Sequence, residues 1–500
     1  MKGTILKILF PVVVATIFLQ PAVAQEAYTL TLDEAIALAS DSSIDAFVAQ
    51  NNYLVEYWYF KNYKAGKLPF LDLTTEVGNF SRSNSLEYNF TDSTDYYVEK
   101  QTFSNSVDVS LNQVIAKTGG RVYLSSDIAR LENLKRNTPV QYSSTIVSLG
   151  IQQELFGFNP YKWDDKIMPL QFEASQLRFT QSLEEISVKT VLYFFDLAKA
   201  QVNYEIAAYK LANSDTLYSI GQKRFDIGSI TQEDLFRLQL DQINGKNDFK
   251  QAKNNLKRAK TRFNSFLRLG ENIHITLIMP DNLPELYVNP LSVLELARKN
   301  NPDFKTIELE LLNAARSVDK TKKESRLSGG LNASFGLNQT ANALPESYHS
   351  PNDQELVSLT LSIPILDWGV AKGKHTLALR QQEVVKLKQQ QALIDLEQNI
   401  INTVDEFFVQ KDIVAGAAKA DTIAQKAFDI TKRQFVTGNA DLTKLNMVQQ
   451  AQIAAKQQYI AALELYWNYF YFIRKLTLYD FLNNIPLTEN ALWREIVDEE

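Results

Sequence analysis

The sequence contains no cysteine among its 500 residues, which excludes disulfides, thiolate metal ligands, cysteine nucleophiles and a lipidated N-terminal cysteine. It also has no run of ~20 uncharged apolar residues after its N-terminus, the length that a membrane-spanning helix needs. Any membrane crossing must therefore use β-strands. Basic residues are not in excess, since 52 Lys and Arg stand against 58 Asp and Glu. The formal charge of −6 gives no basic surface, so nucleic acid is not expected as a partner.

A secretory signal peptide is predicted for residues 1–24. Two lysines supply its positive end, Ile8–Leu19 its apolar stretch, and Ala22–Ala24 a cleavage site of small residues. The mature protein is therefore expected to start at Gln25. The short apolar stretch is typical of a signal and not of a membrane-spanning helix.

Proline is absent from two long windows, 170–279 and 365–485. Both windows are rich in Leu, Ala, Gln, Lys and Glu, which favour helix. Apolar residues repeat there at helical spacing: Val188, Val191, Leu192 and Phe195 in the first window, and Ile400, Val404 and Phe407 in the second. Each window therefore predicts long amphipathic helices.

The predicted helices are long enough to be rods. Leu170 to Ile220 corresponds to ~75 Å of helix, and Trp368 to Val436 to ~100 Å. Helices alone are equally typical of a soluble coiled-coil scaffold. The choice between a scaffold and another function therefore depends on what lies between the helices.

Glycine interrupts both helical windows at equivalent places. The stretch RFDIGSITQEDLFRLQ, from Arg224, returns as QFVTGNADLTKLNMVQ, from Gln434. Gly228 and Gly438 lie where the helical pattern pauses, the usual place for a residue of positive φ. Thr231 and Asp441, like Ser229 and Asn439 beside them, are candidate N-caps for the next helix. Each stretch therefore predicts the tip of a hairpin of two antiparallel helices.

The repetition extends along most of the chain. At the offset of the two tips, Leu149, Ile151 and Leu155 correspond to Leu359, Leu361 and Ile365. Further upstream, EAIALASDSSID matches VLELARKNNPD only at an offset of about 258, which leaves about 48 extra residues in the first half. The chain is therefore interpreted as a tandem duplication, with a first repeat at 25–279, a second at 280–482 and a C-terminal tail at 483–500.

Alternating apolar and polar residues predict strands between the helices, and the alternation is typical of a wall with one apolar and one wet face. The strand candidates are Leu71–Val77, Val107–Leu111, Ile146–Leu155, Leu331–Leu337 and Leu356–Ile365. The turn KTGGRVY, from Lys117, joins two further candidates, so the first half is expected to hold four strands and the second half two. Polar stretches at Ser81–Asp95 and Asn338–Asp353 predict exposed loops.

The order helix, strands, long helix, tip, long helix, found twice over residues 28–481, resembles the TolC-like outer-membrane factor family of bacterial efflux and export systems. Three pairs of stretches carry the resemblance: TLDEAIALAS with LSVLELARKNNPD, LGIQQELFGFNPYKWD with LTLSIPILDWGVAKG, and QKRFDIGSITQEDL with KRQFVTGNADLTKL. It implies an α+β fold with two tandem repeats. In this fold three copies share one transmembrane β-barrel, and long antiparallel coiled-coil helices continue the barrel as a periplasmic tube.

The residues agree with an oligomer independently. A few strands per chain cannot close a barrel, and lipid tolerates no unpaired strand edge, so closure requires several chains. The extra hairpin of the first half either joins the barrel, beyond the family's usual four strands per protomer, or lies outside it. Outer-membrane lipid is expected around the strands, and the helices are expected in the periplasm of a Gram-negative bacterium.

The resemblance implies the exit duct of a tripartite efflux or type I secretion system. Its helical tips hold it shut until a periplasmic adaptor, driven by an inner-membrane pump, engages them. By position, the residues expected at the adaptor-docking tips are Phe225, Gly228, Ile230, Phe435, Gly438 and Asp441. Glycine is needed in any helical hairpin, so a purely structural role is equally consistent with Gly228 and Gly438.

Two further residues are expected at the periplasmic aperture. A ring of three Asp234 carboxylates would attract cations, although an acid in the first turn of a helix is also an ordinary feature. Lys444 stands where members of the family often carry an acid, and it is expected to pair with Asp441 or Asp234. An acidic double ring is therefore not expected.

Aromatic residues gather where strands pass into helices. Phe156, Phe158, Trp163 and Trp368 fit either an aromatic belt at the membrane surface or packing among the helices. The residues leave these alternatives open.

Chemistry-bearing patterns are scarce. His274, His349 and His375 are scattered, and GVAKGKH, from Gly369, has the wrong spacing for a phosphate loop and His375 in place of its Ser or Thr. No catalytic residue, metal site or cofactor is expected, and the chain is not expected to be an enzyme. The competing interpretation, a helical scaffold of the envelope without a pore, gives the alternating strands no purpose.

Overall fold

The computed structural model describes residues 27–89, 91, 93–135, 139–270, 273–280, 283–284, 286, 289–437 and 439–490. The predicted signal peptide, Gly438 and the end of the predicted tail lie outside these residues. The chain divides into two compact units, one of residues 1–43 with 190–283 and the other of residues 44–189 with 284–500. The repeat bounds predicted from the sequence follow another division and stay a prediction.

The described residues contain eight α-helices, and the longest two, α3 and α7, have 67 residues each, about 100 Å of helix. None of the helices in this part of the chain is both long and apolar enough to pass through a membrane. The helices are α1 Leu32–Ser42, α2 Ile44–Ala65, α3 Pro160–Asp226, α4 Gln232–Phe266, α5 Pro290–Asn300, α6 Pro302–Glu324, α7 Val370–Val436 and α8 Leu442–Thr477.

The two rods predicted from proline-free windows are confirmed, but α3 begins earlier than the sequence suggested. Pro160 starts it at the first helical position, where a missing N–H costs nothing. Pro169 lies inside the helix and removes only one backbone hydrogen bond. Proline usually marks a helix boundary, so the sequence predicts α3 only from Leu170 on, whereas the helix includes Pro169.

Ten strands complete the described fold. They are β1 Ala27–Leu30, β2 Phe70–Asn89, β3 Thr94–Ile115, β4 Gly120–Asn133, β5 Gln141–Leu155, β6 His274–Leu277, β7 Ser328–Ala341, β8 Asn352–Ser362, β9 Tyr479–Asp480 and β10 Ile485–Pro486. Six of them form one antiparallel sheet in the order β2-β3-β4-β5-β7-β8, while β1 pairs with β6 and β9 with β10. Four strands of this sheet, β2 to β5, lie between α2 and α3, and two, β7 and β8, lie between α6 and α7, the numbers expected for the two halves.

The loop predicted at Ser81–Asp95 is wrong over most of its length. β2 runs to Asn89 and β3 begins at Thr94, so the polar stretch forms the two arms of a hairpin. Polar residues occupy both faces of the hairpin at 81–95, so this stretch shows no alternation from which strands could be predicted. Asn338–Asp353 was expected as a loop as well, but β7 runs to Ala341 and β8 starts at Asn352.

The first unit is held by α3 and α4. Phe194, Phe195 and Val191 of α3 are buried, as is Phe263 of α4. Leu192, which shares the predicted apolar spacing, is exposed because it points away from this core. The amide of Gln201 donates to the carbonyl of Ile275 at 3.0 Å and ties strand β6 to α3.

The second unit holds the sheet and the α7–α8 hairpin. Ile400, Val404 and Phe407 of α7 are completely buried, which confirms their predicted role, and the Phe407 ring lies 4.9 Å from that of Tyr466 on α8. Where α5 meets α6, Asn300 and Asn301 donate to the last carbonyls of α8, those of Thr477 and Leu476, at 3.0 Å each. These bonds satisfy acceptors that a helix end leaves open.

A buried ion cluster joins α3 to α8 in the second unit. The Arg474 guanidinium donates to both carboxylate oxygens of Glu184, at 3.0 and 3.1 Å, and lies 3.4 Å from Asp480. Burial raises the pKa of Glu184 above its usual value, although Arg474 opposes this. Burial acts on Asp480 too, but hydrogen bonds from Asn483 and the charge of Arg474 outweigh it and hold the pKa of Asp480 below its usual value. Of the two acids, Glu184 is therefore the one whose charged form depends more on Arg474.

Replacing Arg474 by Met is expected to destabilise the protein by about 3–5 kcal/mol, because Glu184 is left as a buried charge without a partner. The matched control is Lys475→Met, at the next position, whose ion pair with Glu185 lies nearer the solvent. That change is expected to cost at most about 1 kcal/mol. Thermal unfolding of the purified protein measures both, and equal losses for the two variants would contradict the prediction.

Candidate functional site

The six-stranded sheet has an apolar face that is exposed in the single chain. Apolar residues occupy alternate positions along each strand, and cross-strand pairing keeps them on one side. Leu71 and Val357, on the two outer strands, are 71% and 78% exposed. One ladder across the first five strands joins Leu71, Leu111, Leu124, Leu149 and Phe335; it reaches Glu355 on β8, where Val357 and Leu359 carry the apolar face instead. The apolar character therefore extends over the whole sheet and includes the extra hairpin.

The opposite face of the sheet is polar. The neighbouring ladder joins Asp72, Ser110, Ser125, Ser148, Gly336 and Gln354. Asp108 and Asp127 stand directly opposite each other on this face, while Leu356, opposite Ser334, is an apolar exception. A sheet of this kind separates an apolar environment from an aqueous one.

The β2–β3 hairpin is longer than the rest of the sheet. β3 pairs with β4 from Thr102 to Ile115, whereas its first eight residues, from Thr94 to Gln101, pair with β2 alone. This overhang is the hairpin arm, and it projects beyond β4 by about 27 Å at ~3.4 Å per residue. Lys135 and Arg82 both form ion pairs with Glu99 of the arm. The hydrogen bond from Lys135 is the largest of several effects that lower the pKa of Glu99 to about 2.

The passages from strand to helix hold two exposed aromatic residues in the left-handed backbone region. Phe156 has a φ of 69° and Trp368 a φ of 55°, and Trp368 is 88% exposed. Trp163 instead donates from its indole to Asp319 at 2.9 Å within the second unit. Packing among the helices therefore applies to Trp163, whereas Phe156 and Trp368 face outward.

The first predicted tip lies between α3 and α4 and is a Schellman turn. The N–H of Ser229 donates to the carbonyl of Arg224, and that of Gly228 to the carbonyl of Phe225, at 2.8 Å each. Gly228 has a φ of +73° with open space around its Cα, so the backbone conformation alone calls for glycine. The predicted role of Gly228 in the turn is confirmed, and its role in docking stays a prediction.

A capping box starts α4 immediately after this turn. Thr231 accepts from the N–H of Asp234 at 3.1 Å, and the Asp234 carboxylate accepts from the N–H and hydroxyl of Thr231 at 3.2 and 2.7 Å. These hydrogen bonds hold the pKa of Asp234 below its usual value. Asp234 thus performs the ordinary role of a first-turn acid, and a role at the aperture would be additional.

The second tip, between α7 and α8, follows the same plan. The N–H of Asn439 donates to the carbonyl of Gln434 at 2.8 Å, and Asp441 is the N-cap of α8. Asp441 accepts from the backbone N–H of Lys444 at 2.7 Å, so this carboxylate contacts the amide of Lys444, while the Lys444 side chain is exposed. Asp441 and Lys444 hold the positions that Thr231 and Asp234 hold in the first tip. The reciprocal acid of the capping box is therefore replaced by a cation in the second repeat.

The tips also show a residue that the sequence argument missed. Ile227, just before Gly228, is 76% exposed, the largest exposure of a bulky apolar side chain at the first tip. Phe225 is partly exposed, whereas Ile230 is half-buried near Gly221 on α3. The available signal was an apolar residue directly before a helix-ending glycine.

Residues 293–468, from α5 through the second tip into α8, match the family model described as outer membrane efflux protein. A comparison with curated proteins gave no significant match. Among solved structures, the Campylobacter jejuni CmeC outer membrane channel is 15% identical, with a TM-score of 0.67, 93% of this chain covered and 89% of that chain.

Two other outer-membrane proteins show the same likeness. VceC from Vibrio cholerae is 13% identical, with a TM-score of 0.62 and coverages of 89% of this chain and 95% of that one. The Neisseria gonorrhoeae MtrE outer membrane channel, in its open state, is 14% identical, with a TM-score of 0.57 and coverages of 89% and 88%. These matches confirm the resemblance and the fold expected from the sequence. The chain has the fold of these outer-membrane channels, and its residues 293–468 match the family model for outer membrane efflux proteins.

Proposed function

We propose that this chain is the outer-membrane exit duct of a tripartite efflux or type I secretion system. Three copies form one channel, and substrate passes through it without chemical change. A periplasmic adaptor engages the helical tips, and an inner-membrane pump acts through that adaptor. The proposal includes Phe225, Gly228, Ile230, Phe435, Gly438 and Asp441 as the docking residues, with Ile227 added from its exposure at the tip.

One observation carries the proposal: among the described residues, the six-stranded sheet has an exposed apolar face, and its outer strands β2 and β8 each have one edge without a partner strand. A soluble protein that exposed such a sheet would aggregate through its edges. In lipid the same apolar face is the favoured surface, provided that neighbouring copies pair with the edges. The opposite polar face then lines water, as a channel requires.

A helical scaffold without a pore accounts for α3, α4, α7 and α8 but not for this sheet. A scaffold would cover the apolar face with helices or replace its leucines and valines by polar residues. The chain does neither, since Leu73 of β2 and Leu359 of β8 are both largely exposed. The family match over residues 293–468 points in the same direction.

Fractionation and conductance test the proposal together. The mature protein should require detergent for extraction from the outer membrane and should run as a heat-sensitive trimer. It should conduct ions in planar lipid bilayers. A water-soluble monomer in the periplasm, inactive in bilayers, would favour the scaffold and overturn the proposal.

A matched pair of arginine substitutions on β4 tests which face of the sheet meets lipid. Leu124→Arg places a charge on the apolar face, where it is expected to cost about 2–4 kcal/mol at the bilayer midplane and to abolish most membrane insertion. Ser125→Arg, one residue further on the polar face, should insert normally and change only the conductance. Equal insertion of both variants would contradict the assignment of the faces.

At the aperture, we propose that Asp234 provides a ring of negative charge and that Lys444 is a second aperture residue. Support comes from their equivalent positions, three residues past the N-cap of α4 and of α8. Both side chains are at the start of a helix that follows a tip, where a closing hairpin narrows a tube. Lys444→Ala should change conductance and leakage through the closed channel, and no change in either would remove Lys444 from the proposed aperture.

Asp234→Asn is expected to reduce the preference of the channel for cations, because the amide keeps part of the cap and loses the charge. Thr231→Ala is the matched control, since it removes the cap and keeps the carboxylate. Hydrogen bonds from Thr231 lower the pKa of Asp234 in the folded protein, so its charge and its contribution to the cap persist at neutral pH and are lost only as the pH falls through that lowered pKa. Reversal potentials measured between pH 7 and pH 3 check this, and an unchanged selectivity in Asp234→Asn would contradict it.

A further inference from the structure

We infer that all six strands of each copy stand in the common wall, with β2 of one copy paired to β8 of the next. Three copies of a six-stranded sheet then give a closed wall of eighteen strands. This inference rests on the proposed function, since it specifies how the channel closes. It assigns the extra hairpin to the channel wall itself.

The hairpin β2–β3 is an integral part of the sheet. β3 and β4 form fourteen consecutive cross-strand pairs, from Thr102 opposite Asn133 to Ile115 opposite Gly120. This ladder is as long as β4, so β4 has no free edge to offer to another chain. A wall that left the hairpin out would first have to break every one of these pairs.

The side chains of the hairpin match the rest of the wall. Val107, Val109 and Leu111 of β3 continue the apolar face, as do Leu71 and Leu73 of β2. The polar face continues as well, through Asp72, Thr74 and Glu76. A hairpin outside the wall would carry an apolar face into water, whereas within the wall each face meets the environment that its neighbours meet.

The two outer strands are suitable partners for each other. Residues 70–84 of β2 are exposed, as is nearly all of β8. In an antiparallel sheet with an even number of strands, the first and last strands run in opposite directions, so β8 and the β2 of the next copy are antiparallel without any change of direction. Since lipid leaves no backbone group without a hydrogen-bond partner, a second copy of this chain is the occupant that both edges require.

The inference predicts a wide exit. Eighteen strands spaced about 4.8 Å apart and tilted by about 40° form a wall about 36 Å across, compared with about 24 Å for twelve strands. Walls of this number of strands enclose water-filled channels. Passage is then restricted at the helical tips and not within the wall of strands.

Cysteine cross-linking tests the inference, and the chain provides a background without cysteine. Ser358→Cys on β8 is combined in turn with Asp72→Cys, Thr74→Cys or Glu76→Cys on β2, all on the polar face. The rival set tests whether β8 pairs with β4 of the next copy. It combines Ser358→Cys with Tyr123→Cys, Ser125→Cys or Asp127→Cys on β4. A third arm, Ser110→Cys with Ser125→Cys, joins directly paired residues of β3 and β4 within one chain. All variants are treated with a short thiol-specific cross-linker in native outer membranes.

The expected result is a ladder of products that ends at three chains for at least one β8–β2 combination, with no β8–β4 product. The β3–β4 pair should cross-link within a single chain. A β8–β4 ladder, together with loss of the β3–β4 link, would overturn the inference and place the hairpin outside the wall. Trimer mass and bilayer conductance, measured on the same membranes, separate this outcome from failure of the proposed function, in which neither a trimer nor a conducting pore is found.

Discussion

The structure depends on one constraint: hydrocarbon gives no hydrogen bonds to the backbone. A sheet of six strands satisfies all its interior strands but leaves the outer edges of β2 and β8 without a partner among the described residues. Because the same sheet carries an exposed apolar face, the chain cannot keep these edges in water without aggregating. In the proposed channel, oligomerisation therefore follows from the strands, and the helices take the symmetry that the strands impose.

The duplication explains how one chain can build two helical hairpins with nearly the same turn. The first tip uses Thr231 and Asp234 as a reciprocal cap, and the second uses Asp441 alone. In both tips the N-cap side chain accepts from the amide three residues on, that of Asp234 or of Lys444. The reciprocal bond, from the N–H of Thr231 to the Asp234 carboxylate, has no equivalent from Lys444, whose ammonium group cannot accept. The backbone of both tips is thus set by the N-cap residue, while the charge three residues on differs between the repeats.

The helices, the sheet strands with their number in each half, and both tips could be predicted from the sequence because each has a local signal: absence of proline, alternation, or glycine before a capping residue. The failures have physical reasons. The strand ends at 81–95 were predicted as a loop because polar residues on both faces of a strand give no alternation. Trp163 could not be separated from Phe156 and Trp368, because the contact of Trp163 with Asp319 joins residues far apart in the chain. Ile227 was missed because its exposure depends on the turn and not on any periodic pattern.

The hairpin arm, pinned at Glu99 by Lys135 and Arg82, lies at the end of the sheet that is remote from the chain's entry from α2 and exit into α3. In the proposed trimer the three arms would project above the bacterial surface as a ring of polar, tyrosine-bearing hairpin ends. Host antibodies, bacteriophages and extracellular proteases would therefore encounter these hairpin ends before any other part of the molecule. Selection by such agents would act on the arms independently of transport, because they lie outside the wall that carries the cargo.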